Sequence, residues 1–550
     1  MTKKPILSTI FLLFAICVIS QPNQTLDNEA LTSLLYQHAS DDGPGMAVGI
    51  VQEGKITYEQ YVGYANLEHK VKIDKDTRFN IASNAKQFTA LCILTLINEG
   101  KVKLADDIRE YLPELYPDIE ERITLSQVLA HTSGIRDISY LWGLKGQTWW
   151  KMFVDNEDAM DLIRAQRELN CKPGTEYIYS NSNYILLTKV IEKVTGEDFS
   201  EFAKSMFEKL GMAGTKFHTN YMAVIPHKAS PYGQWNGWKK YPTITETHGD
   251  GGLFTTLQDQ LQWEKILQLN NGEYFSREFI QQSQLPLEYD YGYGQEFGEY
   301  KGENYRYHNG STGAYNATFM RFPSRNLSVV VMANSGSVPT NYLARQMVDE
   351  VLDLEVIRKT YPSGPEEIPA EIPQVKLIGT YKESGNRGSI INIREREGTL
   401  YREIYQRTPA PLTQEEGAVY TYTSNEAKLR MAFTKDDIGV SGFKIYLSTQ
   451  AVSSYEKLPS VVLDIEYKQS LSGTFFNDET QTTMSIEHAN GNKFIITKNG
   501  RERKGELVYK DMLRMNAYEI RIERDEKDTI VSLRVDNNRI RNVRFTKVED

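Results

Sequence analysis

Apolar positions recur at helical spacing over residues 28–38, and then the pattern changes: 45–51 and 55–62 read as two short strands around Glu53-Gly54, a hairpin signal. Arg78-Phe79-Asn80-Ile81 leads into a helix expected to start near Ser83, with Phe88, Leu91, Leu94 and Ile97 at its apolar positions and Gly100 as its stop. From there to about residue 270 the periodicity is mostly helical, with connections rich in Gly, Pro and Asn. Strands return at 315–321 and 327–332, joined by Pro323-Ser324-Arg325-Asn326, and a helix over 341–352 closes the unit. Strands at both ends with helices between them predict an α+β layer carrying a helical insertion.

Pro362, Pro365, Pro369 and Pro373, with Ser363 and Gly364 among them, make residues 358–374 a stiff linker. Beyond it, 375–550 shows short alternating segments and turn signals with little helical periodicity, the signature of sandwiches or barrels. Leu377-Ile378-Gly379-Thr380-Tyr381 is echoed by Leu471-Ser472-Gly473-Thr474-Phe475, and Val440-Ser441-Gly442-Phe443-Lys444 by Ile540-Arg541-Asn542-Val543-Arg544-Phe545. The echo predicts an all-β tail of two small barrels, 375–458 and 459–550, with one large β-domain as the alternative.

The first twenty residues stand apart. Lys3 and Lys4 precede an apolar run over 6–19, and Ser20 follows, which reads as a signal peptide over 1–20 and predicts a secreted or periplasmic protein. The run is short for a bilayer span, which needs about 20 apolar residues; an uncleaved N-terminal anchor is the alternative. Ile16 stands where a lipoprotein reading of Cys17 would need a small residue. The net charge of -10 and the lack of a Lys/Arg cluster argue against nucleic acid as a partner. Cys92 and Cys171 are too few for a disulfide scaffold; they pair in an oxidising compartment or stay as two free thiols. No His/Cys/Asp spacing reads as a metal site, and no cofactor is expected.

Ser83-Asn84-Ala85-Lys86 opens the apolar helix. Residues i and i+3 share a helix face, so a Lys amine can stand beside a Ser hydroxyl and take its proton once burial or a nearby cation lowers the amine's pKa. The spacing is common: Ser441 to Lys444 and Ser454 to Lys457 repeat it, and alone it means a solvated pair. Ser83 differs in lying between a strand and a long apolar helix, at a helix N-terminus that favours a developing anion. Tyr179-Ser180-Asn181 sits at a loop–helix junction, after Cys171-Lys172-Pro173-Gly174 and before a helix over 184–194. A Tyr hydroxyl near a Lys ammonium can act as general acid or base, and an Asn amide can donate to and accept from a substrate amide. Tyr64 to Asn66 and Tyr307 to Asn309 share that spacing and read as loop residues. His308-Asn309-Gly310-Ser311 holds the one His-x-Gly of the chain, just before the strand pair that begins at Tyr315. A strand edge there could offer a backbone N–H to an oxyanion, and Gly310 permits close backbone approach. His308 could hydrogen-bond a substrate carboxylate or the Tyr/Lys network, a structural hairpin His being the alternative.

In this order and with these flanks the segments resemble the serine β-lactamase and penicillin-binding-protein superfamily, nearest its class C β-lactamase and D-peptidase (D-aminopeptidase-like) branch. Asp76-Thr77-Arg78-Phe79-Asn80-Ile81-Ala82-Ser83, Glu99-Gly100-Lys101-Val102-Lys103-Leu104 with Asp106-Asp107, and Leu129-Ala130-His131-Thr132-Ser133-Gly134-Ile135 support the likeness, as do Leu210-Gly211-Met212 with Thr215 and Gly251-Gly252-Leu253 with Thr256 and Asp259. It spans about residues 28–355. The resemblance implies, for residues 21–357, a β-lactamase/DD-peptidase-like α+β fold: an antiparallel sheet flanked by helices, an all-α subdomain beside it and the site between them. It implies roles as well. Ser83 would be acylated, Lys86 and Tyr179 would shuttle protons, Asn181 would orient the substrate amide, and the N–H groups of Ser83 and Ser311 would form the oxyanion hole. His308 and Gly310 would line the substrate, and His131 would be structural. Class C β-lactamases carry Lys-Thr-Gly where this chain has His308-Asn309-Gly310, so a fixed Lys cation for a β-lactam carboxylate is missing. His variants look more like D-peptidases, D-aminopeptidases and related esterases, and D-aminopeptidase-like members also append two β-barrels.

The function expected is therefore hydrolysis of D-amino-acid peptides or amides through an acyl-enzyme on Ser83. A carboxylesterase and a weak class C-like β-lactamase are the enzyme alternatives. A penicillin-binding sensor that is acylated and does not turn over is the non-enzyme one. The expected partner is a small peptide, amide or ester substrate, with no nucleic acid and no membrane beyond an uncleaved anchor.

Overall fold

A computed structural model describes residues 26–148, 151–241, 244–352, 365, 367–384, 390–404, 408–424, 427–437, 439–446 and 451–548. The expected leader, 1–20, and the first part of the expected linker, 358–364, lie outside the described residues.

Strands from both ends of the first 350 residues build one sheet. Met46–Gln52 lies antiparallel between Lys55–Val62 and Leu327–Ala333, with Met46 opposite Ala333 and Gln52 opposite Leu327. Tyr315–Phe322, Glu303–Thr312, Gln295–Tyr300 and Tyr291–Gly292 continue it to a seven-stranded antiparallel sheet. Every residue of Leu327–Ala333 is buried, and the two-residue alternation sorts them. Leu327, Val329, Val331 and Ala333 pack with Leu31, Leu35, Leu343 and Met347 of the outer helices Asn28–Tyr36 and Thr340–Leu352, whereas Val330 and Met332 join the core under the inner helices Lys86–Asn98 and Leu257–Leu269. A strand covered on both faces reads as a continuous apolar run for this reason.

Lys86–Asn98 is buried on nearly every side, which accounts for its apolar character all round. It packs against Asn181–Thr195 of the helical lobe. A small sheet of Phe79–Asn80, Leu253–Thr255 and Lys216–Phe217 carries the chain from the strand before Ser83 into the turn that holds it.

The tail is all-β. Residues 473–547 form a closed antiparallel barrel of eight strands whose first and last strands meet at Phe475 and Lys547. The described residues of 379–457 form a nine-stranded sheet ending in Ala410–Pro411 on one side and Thr413–Glu416 on the other. These two are halves of one strand interrupted at Leu412, beside Pro411, which has no N–H to give to a ladder. Both units follow a short helix, Gln374–Leu377 and Ile465–Ser470, and both bury the aromatic residue of the first echo, Tyr381 and Phe475. The second echo is out of step: Val440–Tyr446 is the next-to-last strand of its unit and Val543–Lys547 the last of its own.

The two units attach differently. The core of 473–547 is continuous with that of the helical lobe, while the core of the first unit, around Tyr381, Phe433 and Phe443, is separate. Lys498 Nζ, Asn499 Nδ2 and Arg501 Nη1 donate to the carbonyls of Gly143, Lys145 and Gly146 at 2.6, 3.0 and 2.8 Å. The barrel thus caps the C-terminus of the helix Ile138–Leu144 with cations and an amide. Arg136, 1% exposed, donates to the carbonyls of Arg541 and Asn542 at 3.0 and 3.1 Å and pairs with Glu479 at 2.8 Å. Cys92 is buried, Cys171 is half-buried, and both thiols are free.

Candidate active site

The turn that carries Ser83 is tighter than the α-helix expected there. Ala82–Ala85 is a 3-10 turn, and the α-helix begins at Lys86. With three residues per turn, positions i and i+3 eclipse, which sets Lys86 beside Ser83. Ala82 has φ +48°, left-handed backbone that a non-glycine residue holds only under constraint, and Asn80 Oδ1 accepts its N–H at 2.8 Å. The other two Ser-x-x-Lys pairs lie in the strands Val440–Tyr446 and Ala451–Lys457, where i and i+3 face opposite ways.

Lys86 is fully buried, and its Nζ donates to the Asp250 carbonyl at 2.6 Å, Asn181 Oδ1 at 2.9 Å and Ser83 Oγ at 3.3 Å. Burial pushes its pKa below the usual lysine range, against the upward pull of the Asp250 carboxyl, which burial in turn shifts up. A neutral amine here keeps its two shorter bonds and turns its lone pair toward the serine hydroxyl.

Tyr179 comes from the helical lobe. The Lys86 amine lies 4.9 Å from its ring centre. Burial raises the phenol pKa well above its usual value, while the Ser83 hydroxyl and then the Arg539 charge pull it back. The hydroxyl is buried beside Ser83, and burial keeps its proton on. The His131 ring lies tilted against that of Tyr179, with centroids 4.2 Å apart, and its Nδ1 accepts from Ser180 N and Asn183 Nδ2, each at 3.2 Å. Burial first, then the Lys86 charge, keep His131 neutral, a floor beneath Tyr179.

Asn181 is the first residue of Asn181–Thr195, which starts three residues before the expected helix. Its N–H donates to Asp137 Oδ2 at 2.8 Å and its Nδ2 to Ser139 Oγ at 3.3 Å. Asp137 Oδ1 accepts from Ser139 N and Tyr140 N at 2.9 and 3.3 Å, so one carboxylate caps two helix N-termini and fixes Asn181 between them.

His308, Gly310 and Ser311 lie within the strand Glu303–Thr312, not in a loop before the strand pair. Gly310 runs so close to the serine turn that a Cβ there would stand 2.2 Å from the Ile81 carbonyl oxygen. With its side-chain amide turned so that each donor meets an acceptor, Asn84 ties strand and turn, Nδ2 donating to the His308 carbonyl at 2.9 Å and Oδ1 accepting from Gly310 N at 3.2 Å. His308 Nδ1 donates to the Asn309 carbonyl at 2.8 Å and its Nε2 accepts from the Tyr291 hydroxyl at 3.1 Å. Burial, then the charge of Lys86, bring the His308 pKa down to about 3, so its ring is neutral and does not substitute for a lysine cation.

Ser83, Tyr179, Asn181, His308, Gly310 and Ser311 line one cleft of about 1080 Å³, with Lys86 at its floor. Ser83 and Ser311 also line a smaller hollow against Asp250 and Gly251. Among the described residues no cluster of three or more His, Cys, Asp and Glu is placed to hold a metal ion.

A hydroxyl on a strained turn, a buried amine of lowered pKa and a protonated phenol equip a cleft for attack on a carbonyl carbon, the chemistry of a serine hydrolase. Residues 34–351 match the Beta-lactamase family, and the chain belongs to it. Protein flp of Staphylococcus aureus (strain MRSA252) is 30% identical over 334 residues, 57% of this chain and 64% of that protein. A D-aminopeptidase of Brucella anthropi is 27% identical over 319 residues, 56% of this chain and 58% of that protein. The chain therefore spans about three fifths of the length of these curated relatives. An octameric penicillin-binding protein homologue from Pyrococcus abyssi shares the fold, with TM-score 0.57, 23% identity, and coverage of 78% of this chain and all of that one.

Sequence reasoning missed Arg539 and Asp137. Arg539 lies between the last two barrel strands, Ile530–Asp536 and Val543–Lys547, yet its guanidinium carbon is 4.5 Å from the Tyr179 ring centre and its Nη1 is 3.5 Å from Asp137 Oδ2. Asn537 and Asn538 signal a turn there, but no periodicity tells which surface a turn will meet. Asp137 ahead of an apolar run is a legible helix cap; its second helix is not.

Proposed function

We propose that the protein is a peptidase or amidase for D-amino-acid peptides or amides, working through an acyl-enzyme on Ser83. The observation that carries this reading is the Lys86 amine, buried, held by two carbonyl oxygens and 3.3 Å from Ser83 Oγ. Neutral Lys86 takes the hydroxyl proton as Oγ bonds to the substrate carbonyl carbon, and the N–H groups of Ser83 and Ser311 receive the oxyanion. The C–N bond then breaks, and Tyr179 gives its proton to the leaving amine and recovers one from Lys86. Asn181 orients the substrate amide. A water molecule, deprotonated by the same pair, attacks the ester carbonyl and frees Ser83. The D-aminopeptidase relative supports the choice of substrate, and the charged and apolar segments of residues 1–20 support action outside the cytoplasm.

The test is a panel of D-amino-acid amides, D-Ala-D-Ala peptides, short acyl esters and cephalosporins, with intact-mass detection of the adduct, run beside Ser83→Ala. Turnover of D-amides or D-peptides with a Ser83 adduct is expected. Turnover of esters alone would replace the reading with a carboxylesterase, and turnover of cephalosporins alone with a weak β-lactamase. A stoichiometric burst without turnover would make the protein a sensor. Full activity in a folded Ser83→Ala protein would remove Ser83 from the chemistry.

A further inference from the structure

The cleft is short of cations in its own domain. The strand Glu303–Thr312 brings neutral His308 where a lysine would be charged, and Lys86 is spent on the floor. Among the described residues that line the cleft, the one Lys or Arg is Arg539, which arrives from the C-terminal barrel. Its backbone is clamped from both sides: the Arg539 carbonyl accepts from Asn170 Nδ2 at 2.9 Å and Asp137 N at 3.3 Å, and Asn537 Oδ1 accepts the Arg539 N–H at 2.8 Å. Arg541 N donates to Asn170 Oδ1 at 2.7 Å, and buried Arg136 holds the next two carbonyls. The residue is therefore presented on a fixed loop, not a trailing end.

Its guanidinium lies against two aromatic faces, 4.5 Å from the Tyr179 ring centre and 5.6 Å from that of Tyr140. The side chain is 31% exposed. A guanidinium has five N–H donors. Among the described residues this one has a single side-chain hydrogen bond, to Asp137 Oδ2 at 3.5 Å. Asp137 is already committed to three backbone N–H groups, so it leaves much of the arginine's charge and donor capacity to the cleft. The acid on the cleft wall, Glu296, accepts the Tyr307 hydroxyl at 2.7 Å, and burial raises its pKa, which lessens its competition. A planar, prepositioned fork over aromatic rings is suited to a carboxylate.

We propose that Arg539 is the anion-recognising residue of the cleft, so that the C-terminal barrel makes the enzyme select substrates that carry a carboxylate. The inference rests on the assignment of this cleft as the site of acyl transfer.

Four acyl-D-alanyl phenyl esters test it: a pair differing by one carboxylate on the leaving phenol, and a pair with succinyl or acetyl on the acyl side. The quantity read is the ratio of kcat/KM between the anionic and neutral member of each pair. Kd for the same esters is measured on Ser83→Ala protein, with and without Arg539→Gln. We expect the anionic member to be preferred in one pair, which identifies the half of the substrate that bears the charge. In Arg539→Gln that ratio should fall about 10- to 100-fold, the scale of a charged hydrogen bond. Arg539→Lys should keep part of the preference and Arg539→Glu should invert it. An equal fall for both members would overturn the proposal and make Arg539 a positioning residue for Tyr179. A ratio near one in the parent enzyme, or one unchanged by Arg539→Gln, would overturn it outright. If no ester is turned over, the acyl-transfer reading fails, while the Kd ratios still judge Arg539.

Discussion

Lys86 Nζ and Asn181 Oδ1 are 2.9 Å apart, and this hydrogen bond ties the helix after Ser83 to the first residue of the helical lobe's central helix. Lys86→Ala and Ser83→Ala should each lower kcat/KM by about 10³-fold or more, as loss of a nucleophile or its base does. Asn181→Ala leaves both groups in place and loosens one of three anchors on the amine, so a smaller loss, about 10- to 100-fold, is expected. Steady-state kinetics with thermal unfolding on each variant separate lost chemistry from lost fold.

The lowered pKa of Lys86 sets the direction of the activity profile. If the neutral amine is the base, kcat/KM rises with pH to a plateau whose inflection lies below the usual lysine value of about 10.4. An inflection at or above that value would show that burial does not tune this amine.

Stability should respond to acid through His308. The folded ring binds a proton only near pH 3, whereas the unfolded ring does so near its ordinary value of 6.5. Between these values the unfolded state holds more protons, so stability falls as pH falls. His308→Asn should flatten the loss between pH 6.5 and 4 by up to about 3 kcal/mol. Denaturant unfolding of both proteins across that window provides the check.

Arg321 and Glu264 form a buried pair at 2.6 Å, and Arg321 Nη2 also donates to Gln87 Oε1 at 2.7 Å, which joins the sheet to the helix after Ser83. Glu264→Leu alone strands a buried cation and should cost about 3–5 kcal/mol, whereas Glu264→Leu with Arg321→Met should cost markedly less. Equal losses in the single and double variants would mean that the pair acts through packing alone.

Gly310→Ala would drive a methyl group into the Ile81 carbonyl and push the strand away from the serine turn. A loss of about 1–3 kcal/mol is expected. Activity should fall further than stability, because Ser311 moves with the strand.

The strands around Met46–Gln52 and Leu327–Ala333 and the helix after Ser83 were legible because each is a bounded apolar run of a length that suits its element. The residues singled out by chemistry also meet around one cleft. Less legible were the 3-10 turn at Ala82–Ala85, the strand interrupted at Leu412 and the placement of His308 inside a strand. Each depends on what the backbone packs against: the left-handed Ala82, for instance, has no local signature and is held by the Asn80 side chain.

By itself, the chain of amino acids determined the family, through the likeness of its ordered segments, and the succession of an α+β domain and an all-β tail, because apolar spacing and turn residues are local. Tertiary structure decided the electrical state and the company of the side chains. Burial makes His308 neutral and lowers the amine of Lys86, and Arg539 reaches Tyr179 because a barrel loop is clamped by Arg136 and Asn170. Desolvation and long-range contact are properties of a folded surface, and no window of sequence contains them.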